Sequence, residues 1–379
     1  MPLLIFIGTT CLNSSYYAAF CFLPKEQEED YVWALEQFKM LYLPGTKTGV
    51  ILTDRELALI NTLRIVFPRV PRLLCIWHVE KDVQRQAKKV FENSDDSTAF
   101  LRAWTTLINS SSYELYNENW NKLKDTYNVQ VPGLVQYVKE TWLNNFKLSL
   151  VKTYADLHPH YGNRTTSRVE GGHAVLKRYL QVSTGDLRMV FDKITILLEN
   201  QHAEFDGNLA NDQIKTPHYA RHPLFGQLLS RVSNYALGQI WGQRYRLIKG
   251  EPLPLCTFKY TMAMGLPCAH KIQARLAETG VLTIDDIHSH WHFNPPPIGQ
   301  AIPLILEPAM AQVRGRPTTQ QDVNQARPLN QAARSRLAAS STQREPSAFE
   351  RPNIPVRART RSGLRSARSQ QQDLEMLHS

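Results

Sequence analysis

In the first ninety residues, short apolar runs typical of β-strands alternate with segments whose apolar residues have helical spacing. A continuous apolar run over 3–7 and an aromatic-rich run over 16–23 flank a polar turn at 13–15, which predicts a hairpin of two strands. Helical spacing or short apolar runs predict the next elements: helices over 28–43, 55–67 and 79–91, and strands over 49–54 and 72–77. This β-β-α-β-α-β-α order favours an α/β fold whose sheet has parallel members flanked by helices.

The pattern changes after residue 93. From Ser94 to Tyr154, aromatic residues recur at roughly helical intervals, which predicts an all-helical block. Thr165, Thr166 and Ser167 are candidate caps for a helix over 168–180. A further helix is predicted over 186–205, and residues 222–247 are only weakly periodic.

The end of the chain differs from the rest in composition. Residues 252–292 contain cysteines and histidines around a Gly-Leu-Pro turn, whereas residues from about 295 onward are rich in Pro, Gln, Ala, Ser and Arg. Because apolar residues there are too sparse for a core, a disordered tail is predicted over 295–379.

The net charge of +10 is concentrated in this tail. Residues 312–379 contain twelve arginines against five acidic residues, a net +7 that leaves only +3 for residues 1–311. A basic tail favours a polyanionic partner such as nucleic acid, and an inert solvated tail is the equal alternative. Five irregularly spaced cysteines argue against a disulfide framework, and no apolar run is long enough for a membrane span.

Asp54 ends a buried strand of the parallel type, where α/β sheets place ligands and catalytic groups. Local sequence favours a simpler interpretation, in which Asp54 caps the following helix. Cys75 and His78 are spaced like half of a zinc site, although a buried cysteine beside a hydrogen-bonded histidine is the preferred interpretation.

Several segments together resemble the Mutator-like element (MULE) transposases. They are VILTDRE over 50–56, VFP over 66–68, LLCIWH over 73–78, and TSRVEGGH over 166–173 followed by Leu176 and Lys177. The resemblance extends from Met1 to about His292 and implies a ribonuclease H-like core with an all-helical insertion. It implies an Asp, Asp, Glu triad with Asp54 second and Glu170 third, and Cys75 and His78 near the active site. Such acids bind two Mg²⁺ ions that clamp the attacking and leaving oxygens of a phosphodiester.

The resemblance also implies a first strand and a first catalytic aspartate upstream of Met1. We therefore expect the chain as written to be catalytically inactive and poorly stable, because the missing strand would lie at the centre of the sheet. Asp30 and Asp156 are only rough candidates for a third acid. The alternatives to a DNA transposase are a transposase-derived DNA-binding, transcription-regulatory protein, similar to plant regulators descended from the same family, and a non-functional relic.

Cys256, Cys268 and His270 resemble a SWIM zinc finger, whose pattern is Cys-x-Cys, a spacer, then Cys-x-His. Phe258 stands at the position of the second cysteine and cannot bind metal. A closed Zn²⁺ site takes four ligands, so the fourth could be a downstream histidine, namely His288, His290 or His292, or a water molecule. A metal-free hairpin with two buried cysteines is the alternative.

Arg314 and Arg316 lie in an Arg-Gly-Arg-Pro segment that matches the core of an AT-hook, which binds the narrow minor groove of A·T-rich DNA. Arg357, Arg359 and Arg361 add charge against phosphates. The expected partner is DNA, either transposon ends or an A·T-rich duplex, in the nucleus. Self-association into a homo-oligomer is compatible with this function, and no membrane partner is expected.

These patterns predict five regions. They are a truncated ribonuclease H-like core over 1–93, a helical insertion over 94–164, the helix with the third acid and the helices after it over 165–248, a SWIM-like zinc finger over 249–294, and the basic tail over 295–379.

Overall fold

The chain begins with an antiparallel hairpin, as its apolar runs predict. In this computed structural model, which describes residues 2–42, 48–181 and 186–293, β1 (Leu3–Thr9) pairs with β2 (Ser15–Phe22). The register shifts between Phe6 and Ile7, and the turn is closed by a bond from the Thr10 N–H to the Ser14 carbonyl. Each of the two faces of this hairpin packs against helices.

A second, shorter sheet pairs β3 (Ile51–Thr53) with β4 (Arg72–Leu74) in parallel. Within the described residues the two sheets are not joined by a ladder, so the single sheet expected from the sequence is not observed. Strands of three residues form few ladder bonds, and the hairpin instead packs through side chains: Phe6 stacks on Phe38 at 4.0 Å between ring centroids. The result is a mixed α/β structure that is mostly helical.

Two helices connect these sheets through one apolar layer. They are α1 (Glu28–Met40) and α2 (Leu57–Val66). Leu35 and Leu63 are almost fully buried there, and the partly buried Phe6 and Ile51 pack against the same layer.

The helical block is present where the aromatic spacing predicts it. Helix α3 (Ile76–Val90), predicted over 79–91, precedes the block and packs on its core. The block contains α4 (Ser94–Ile108), α5 (Tyr113–Tyr127), α6 (Pro132–Tyr137), α7 (Asn144–Leu150) and α8 (Lys152–Ala155), with a π-helical turn over Val138–Leu143. Its core is built on Phe100, Trp104 and Trp142, all fully buried. The strand predicted to reach residue 77 ends at Leu74, because helix α3 begins at Ile76, whose N–H donates to the Arg164 carbonyl.

Two further helices cover the opposite face of the hairpin. They are α9 (Ser167–Leu180) and α10 (Leu187–Ile214), and the latter extends well past the predicted end at Phe205. Ile5 of β1 is buried among Leu176, Ile194 and Leu197 of these helices. The hairpin thus fixes the helix on which Glu170 lies.

The last described part is helical too. It contains α11 (Asn234–Ile248), α12 (Lys259–Met264) and α13 (Ala269–Glu278), and one core holds Leu224, Leu266 and Trp291 together. The metal-free hairpin considered for this segment is not observed, since between 249 and 293 the described backbone forms short helices and one isolated bridge. None of the helices in the described ranges is long and apolar enough to cross a membrane.

Candidate functional site

Asp54 follows directly on β3, at the carboxyl end of the parallel pair. The Cys75 N–H donates to the Thr53 carbonyl at 2.8 Å, so Asp54 and Cys75 leave neighbouring strands at the same edge. The prediction that Asp54 caps α2 is wrong. Glu56 is the cap, and its carboxylate accepts the Ala58 N–H at 3.3 Å. Among the described residues, no hydrogen bond or ion pair occupies the Asp54 carboxylate, which leaves it available for a ligand.

Glu170 approaches this edge from the first turn of α9. Its Oε1 lies 3.6 Å from His78 Nε2 and 3.5 Å from the Thr166 hydroxyl, which donates to it. Thr166 also meets His78 Nδ1 at 3.3 Å. The three side chains form a closed cluster in which the imidazole and the hydroxyl fix the carboxylate.

Asp54 and Glu170 both influence the pKa of His78. The Cys75 thiol contributes most to raising the pKa of His78 above its ordinary value; burial opposes it, and Asp54 and Glu170 add to the rise. The carboxylates of Asp54 and Glu170 therefore both lie close enough to favour an imidazolium. The structure thus brings the start of α3 against the start of α9, as in the contact between His78 and Glu170.

Cys75 is buried and hydrogen-bonded rather than exposed. It is 1% accessible, and its Sγ accepts the Thr166 N–H at 3.2 Å. Burial raises the pKa of the Cys75 thiol, but contacts with His78 and Thr166 outweigh it and hold the pKa below its ordinary value. No second pair of zinc ligands lies near Cys75 and His78 in the described ranges, so the half-zinc interpretation has no support.

The position of Glu170 depends on a polar contact between α9 and the hairpin turn. The Arg168 guanidinium donates to the Asn13 carbonyl at 2.9 Å, to Asn13 Oδ1 at 2.8 Å and to Ser15 Oγ at 3.0 Å. On the next turn, the Tyr17 hydroxyl donates to the Gly172 carbonyl at 2.7 Å. Glu170 lies between these two contacts and is held on both sides.

Neither rough candidate for a third acid reaches the site. Asp156 is buried and paired with Lys152 and with His160, whose Nε2 is 3.2 Å away, and Asp30 lies in the first turn of α1. Burial raises the pKa of Asp156, and its bonds to His160 and Lys152 hold the pKa below its ordinary value. In the described part of the chain, no cluster of three potential metal ligands includes Asp54 or Glu170.

Trp77 and Lys81 form an exposed edge beside the acids. Trp77 is 40% exposed and makes an edge contact with the His78 ring at 4.8 Å between centroids. Lys81, one turn later, places Nζ 5.6 Å from the centre of the Trp77 ring. An aromatic face with an adjacent cation is a surface on which a nucleobase can stack next to a phosphate.

A second candidate site lies in the C-terminal helices. The ligand atoms of Cys256, Cys268 and His270 all lie within 4.8 Å of one another, and the two sulfurs are 3.8 Å apart. Cys268 precedes α13, and His270 Nε2 lies 2.7 Å from the Pro254 carbonyl. If Nε2 donates to that carbonyl, Nδ1 remains to bind a metal, as is usual for histidine ligands of zinc. The set fits three of the four ligands of a Zn²⁺ ion.

In the described residues, the three downstream histidines lie outside this cluster. His290 stacks on the Tyr161 ring at 4.0 Å, the Tyr161 hydroxyl lies 3.3 Å from His288 Nδ1, and His292 Nε2 lies 3.0 Å from the Ile287 carbonyl. These residues belong to the packing around Trp291, and none joins the cysteine cluster in the described residues. Phe258, at the position of the missing cysteine, is 66% exposed.

Thr166 and Arg168 are site residues that the sequence did not single out for these roles. Thr166 was expected to cap α9, but its hydroxyl is turned to His78 and Glu170 and makes no cap bond. Their position in the TSRVEGGH segment, one helical turn or less before Glu170, was the signal that could have indicated them. The predicted DNA contacts at Arg314, Arg316, Arg357, Arg359 and Arg361 lie outside the described residues.

Comparison with known proteins relates the chain to transposases. Residues 1–82 match the family model of the MULE transposase domain. Two Arabidopsis thaliana proteins are similar over 57% of the chain: Protein FAR1-RELATED SEQUENCE 4 is 23% identical and Protein FAR-RED IMPAIRED RESPONSE 1 is 20% identical. A PKS-NRPS hybrid synthetase, cheA of Chaetomium globosum, is 24% identical over 87% of the chain.

The matched segments cover 29%, 26% and 8% of those three proteins, respectively, so the chain spans less than a third of each. No solved structure matches the chain significantly. The first 82 residues, which contain Asp54, Cys75 and His78, thus match the MULE transposase domain.

Proposed function

We propose that this chain is a DNA-binding polypeptide of the MULE transposase type, in which Asp54 and Glu170 are the second and third acids of a ribonuclease H-like site. The observation that supports it best is the contact of Glu170 Oε1 with His78 Nε2 at 3.6 Å, because His78 lies on the helix that follows β4, the strand paired with β3, and Asp54 directly follows β3. DNA cleavage and strand transfer are the reactions of the intact site, which needs one more acid.

Two carboxylates do not complete a site for two metal ions. Mg²⁺ takes oxygen ligands in a nearly octahedral set. Two ions that share one phosphodiester therefore need more protein oxygen ligands than two carboxylates supply. Within the described residues, neither Asp54 nor Glu170 belongs to a group of three potential metal ligands. Two carboxylates can hold at most one weakly bound ion, and we propose that the chain by itself binds DNA without cutting it.

The DNA surface of this proposal begins at the edge of the acids. Trp77 and Lys81 offer stacking and a cation, and the exposed Lys88 and Lys89 continue the basic face of α3. Arginines of the tail, with Arg314 and Arg316 in the minor groove of A·T-rich DNA, would add salt-sensitive affinity. Such a protein acts in the nucleus.

A second candidate function is DNA or protein binding without any chemistry, as a transposase-derived regulator. It is favoured by the cluster of Cys256, Cys268 and His270, because a structural Zn²⁺ ion there would order a binding module and supply no catalysis. Both functions require DNA binding, and only the first requires Asp54 and Glu170.

One experiment separates the two. The purified full chain is incubated with supercoiled plasmid and with a labelled duplex, each with EDTA, Mg²⁺ or Mn²⁺, beside the variants Asp54→Asn, Glu170→Gln and the control Asp30→Asn. We expect duplex binding that weakens with salt and no nicking with either metal. Binding that Asp54→Asn or Glu170→Gln changes only in the presence of metal supports the first function.

Two results would overturn the proposal. Metal-dependent nicking that disappears in Asp54→Asn shows that the chain alone completes the catalytic site. Absence of duplex binding in every buffer shows that DNA is not its partner.

A further inference from the structure

Arg244 of α11 is a partly buried arginine that has no acidic partner among the described residues. Its guanidinium carbon lies 5.2 Å from the centre of the Trp241 ring, and its Nε is buried without a hydrogen-bond partner. Arg246, on the same helix, differs because its Nε lies 3.0 Å from the Glu251 carboxylate. A positive charge that is partly desolvated and lacks a counter-ion within the chain favours an anion from outside it.

A histidine lies against this guanidinium, since Nε2 of His222 is 2.8 Å from Nη2 of Arg244. The other ring nitrogen of His222, Nδ1, accepts the N–H of Leu224 at 3.1 Å. Leu224 is fully buried at the start of a 3₁₀ turn, so this backbone N–H needs an acceptor. Nδ1 is therefore the acceptor nitrogen of the His222 ring.

His222 cannot accept a second hydrogen bond from Arg244. Partial burial lowers the pKa of His222 below its ordinary value, and the charge of Arg244 lowers it further, so the ring is neutral at neutral pH. A neutral imidazole has one acceptor nitrogen and one N–H, and Nε2 therefore carries the proton. The Nε2–H and the guanidinium are two neighbouring donors, and the described residues supply no acceptor that they share. An anion whose oxygens contact both nitrogens satisfies them.

The chain around this pair is strongly basic. Residues 213–250 contain six basic residues and no acidic one: Lys215, Arg221, Arg231, Arg244, Arg246 and Lys249. The acids that flank this segment are already bound, Asp212 to the Asn234 N–H at 2.9 Å and Glu251 to Arg246 at 3.0 Å. With both of these acids included, the net charge of the segment is still +4. Such a field attracts a polyanion.

The surroundings of the pair favour a phosphate of a nucleic acid over an isolated carboxylate. Tyr245 is 47% exposed and, four positions after Trp241, lies on the same side of α11. Nζ of Lys249 lies 4.9 Å from the centre of the Tyr245 ring. Arginines and neutral N–H donors commonly bind backbone phosphates, and an exposed aromatic ring beside them can stack on a base.

We propose that His222 and Arg244 form a binding site for a phosphate group of a nucleic-acid backbone. Arg244 supplies the positive charge, and the Nε2–H of His222 supplies a second donor. The choice of nucleic acid rests on the DNA binding proposed above, whereas the anion chemistry rests only on these two side chains. The site uses no residue of the Asp54 site.

The first test is the affinity of the full chain for a labelled duplex at several salt concentrations. We expect Arg244→Gln to weaken binding at least about threefold and to lower the slope of log affinity against log salt by about one, because one phosphate contact is lost. Arg246→Gln is the matched control: it removes the same charge from the same helix, and the slope should stay as in the wild type because Arg246 is already paired with Glu251. Circular dichroism checks that the variants are folded.

Two substitutions of His222 separate its ring nitrogens. Asparagine can place its Oδ1 near the position of Nδ1, so His222→Asn retains the acceptor for the Leu224 N–H and loses the donor at Nε2. Glutamine can place an N–H near Nε2 and loses that acceptor. We expect His222→Asn to weaken duplex binding at least about threefold and His222→Gln to retain most of it. The reverse order would show that His222 acts only on the Leu224 N–H, which contradicts the proposal.

Inorganic phosphate separates this proposal from the proposed function. In a chain labelled with ¹³C-histidine, the His222 ring signal is identified by its absence in His222→Asn. We expect phosphate to shift this signal in the wild type and in Arg246→Gln, but not in Arg244→Gln.

The combined outcomes decide each claim. If the wild type binds the duplex and Arg244→Gln binds it with an unchanged salt slope, the proposed phosphate contact is wrong while the proposed function stands. If the wild type binds no duplex, the proposed function fails. In that case a phosphate shift that Arg244→Gln abolishes still supports the anion site, and the absence of any shift overturns it.

Discussion

The backbone N–H of Thr166 donates to the Sγ of Cys75 at 3.2 Å, and this bond joins the start of α9 to the start of α3. The Thr166 hydroxyl continues the connection, since it meets His78 Nδ1 at 3.3 Å and donates to Glu170 Oε1 at 3.5 Å. The helix that carries Glu170 is therefore anchored to the strand edge that carries Asp54 through one threonine. A buried polar contact of this kind is costly to leave half made, so it fixes the two helices in one arrangement.

Replacing Thr166 with valine should lower the free energy of unfolding by about 1 kcal/mol, because the isosteric change removes one hydroxyl and leaves His78 without that contact. Thr166→Ser retains the hydroxyl and is the matched control. Urea denaturation followed by circular dichroism measures both. If valine proves as stable as the wild type, the hydroxyl of Thr166 does not stabilise this contact.

Adjacent glycines on α9 should respond to alanine in opposite directions. A Cβ at Gly172 would lie 2.4 Å from the Ile7 Cδ1 and 3.2 Å from the Tyr17 ring, whereas a Cβ at Gly171 meets nothing within 4 Å. We expect Gly172→Ala to cost about 1–2 kcal/mol through overpacking against the hairpin. Gly171→Ala should gain up to about 1 kcal/mol from helix propensity.

Thermal or urea unfolding of the two variants decides this point. Equal effects of the two substitutions would show that α9 does not pack on the hairpin at Ile7.

Because of Asp286, the stability of the C-terminal helices should depend on pH in the acidic range. Burial raises the pKa of Asp286, but the Thr283 N–H and the Arg275 and Lys271 side chains outweigh it and hold the pKa below its ordinary value of 3.8. A depressed pKa in the folded state contributes stability that is fully present above the unfolded value and is lost as pH falls through the folded value. The loss should therefore occur below about pH 4.

Asp286→Asn should remove that acid dependence and destabilise the protein by about 2–3 kcal/mol at neutral pH, because Arg275 and Lys271 lose a buried counter-charge. Asp285→Asn, at an exposed neighbouring position, should change neither quantity. Urea unfolding of the three proteins at pH 7 and at pH 3–4 measures both. An Asp286→Asn variant as stable as the wild type would contradict the ion pairs described.

The Cys256 cluster should bind one Zn²⁺ ion per chain, because three ligand atoms already lie within 4.8 Å of one another. Cys268→Ser should abolish the bound zinc, while Cys21→Ser, in the hairpin, should leave it unchanged. Phe258→Cys should increase zinc affinity about tenfold or more, because it adds a thiolate at the position where the finger pattern has one. The measurement is metal analysis after dialysis against a competing chelator.

A purified chain without zinc would show that the cluster is a metal-free pair of cysteines. Zinc affinity unchanged in Phe258→Cys would place the fourth ligand elsewhere, because the exposed position of Phe258 then lies out of reach.

The sequence predicted the helices well because their apolar residues repeat at helical spacing, and helices such as α4 and α5 are stabilised by contacts close along the chain. It also indicated Asp54, Cys75, His78 and Glu170 as site residues; the structure places Glu170 against His78 and Thr166 against Cys75, and their role in a site stays a prediction. The resemblance to one family carried that inference, since Glu170 alone reads as an ordinary residue of a helix surface.

What the sequence missed depends on tertiary contacts. Threonine is a common helix-capping residue, and only the contact of Thr166 with His78 shows that it has another role. Three histidines near position 290 suggest metal ligands, yet stacking on Tyr161 and a bond to the Ile287 carbonyl occupy two of them. Packing also decides whether the strands join into one sheet or form two. The apolar runs of β1 and β3 do not distinguish these two arrangements.

We propose that Asp54 and Glu170 bind one ion together, and titration with Mn²⁺ followed by electron paramagnetic resonance tests this most directly. We predict one weak Mn²⁺ site, with an affinity that falls about tenfold or more in Asp54→Asn and in Glu170→Gln, because each variant removes an oxygen ligand of full charge. Asp30→Asn should bind as the wild type does. If Asp54→Asn and Glu170→Gln both bind Mn²⁺ with wild-type affinity, the two carboxylates do not form a common site and the account is contradicted.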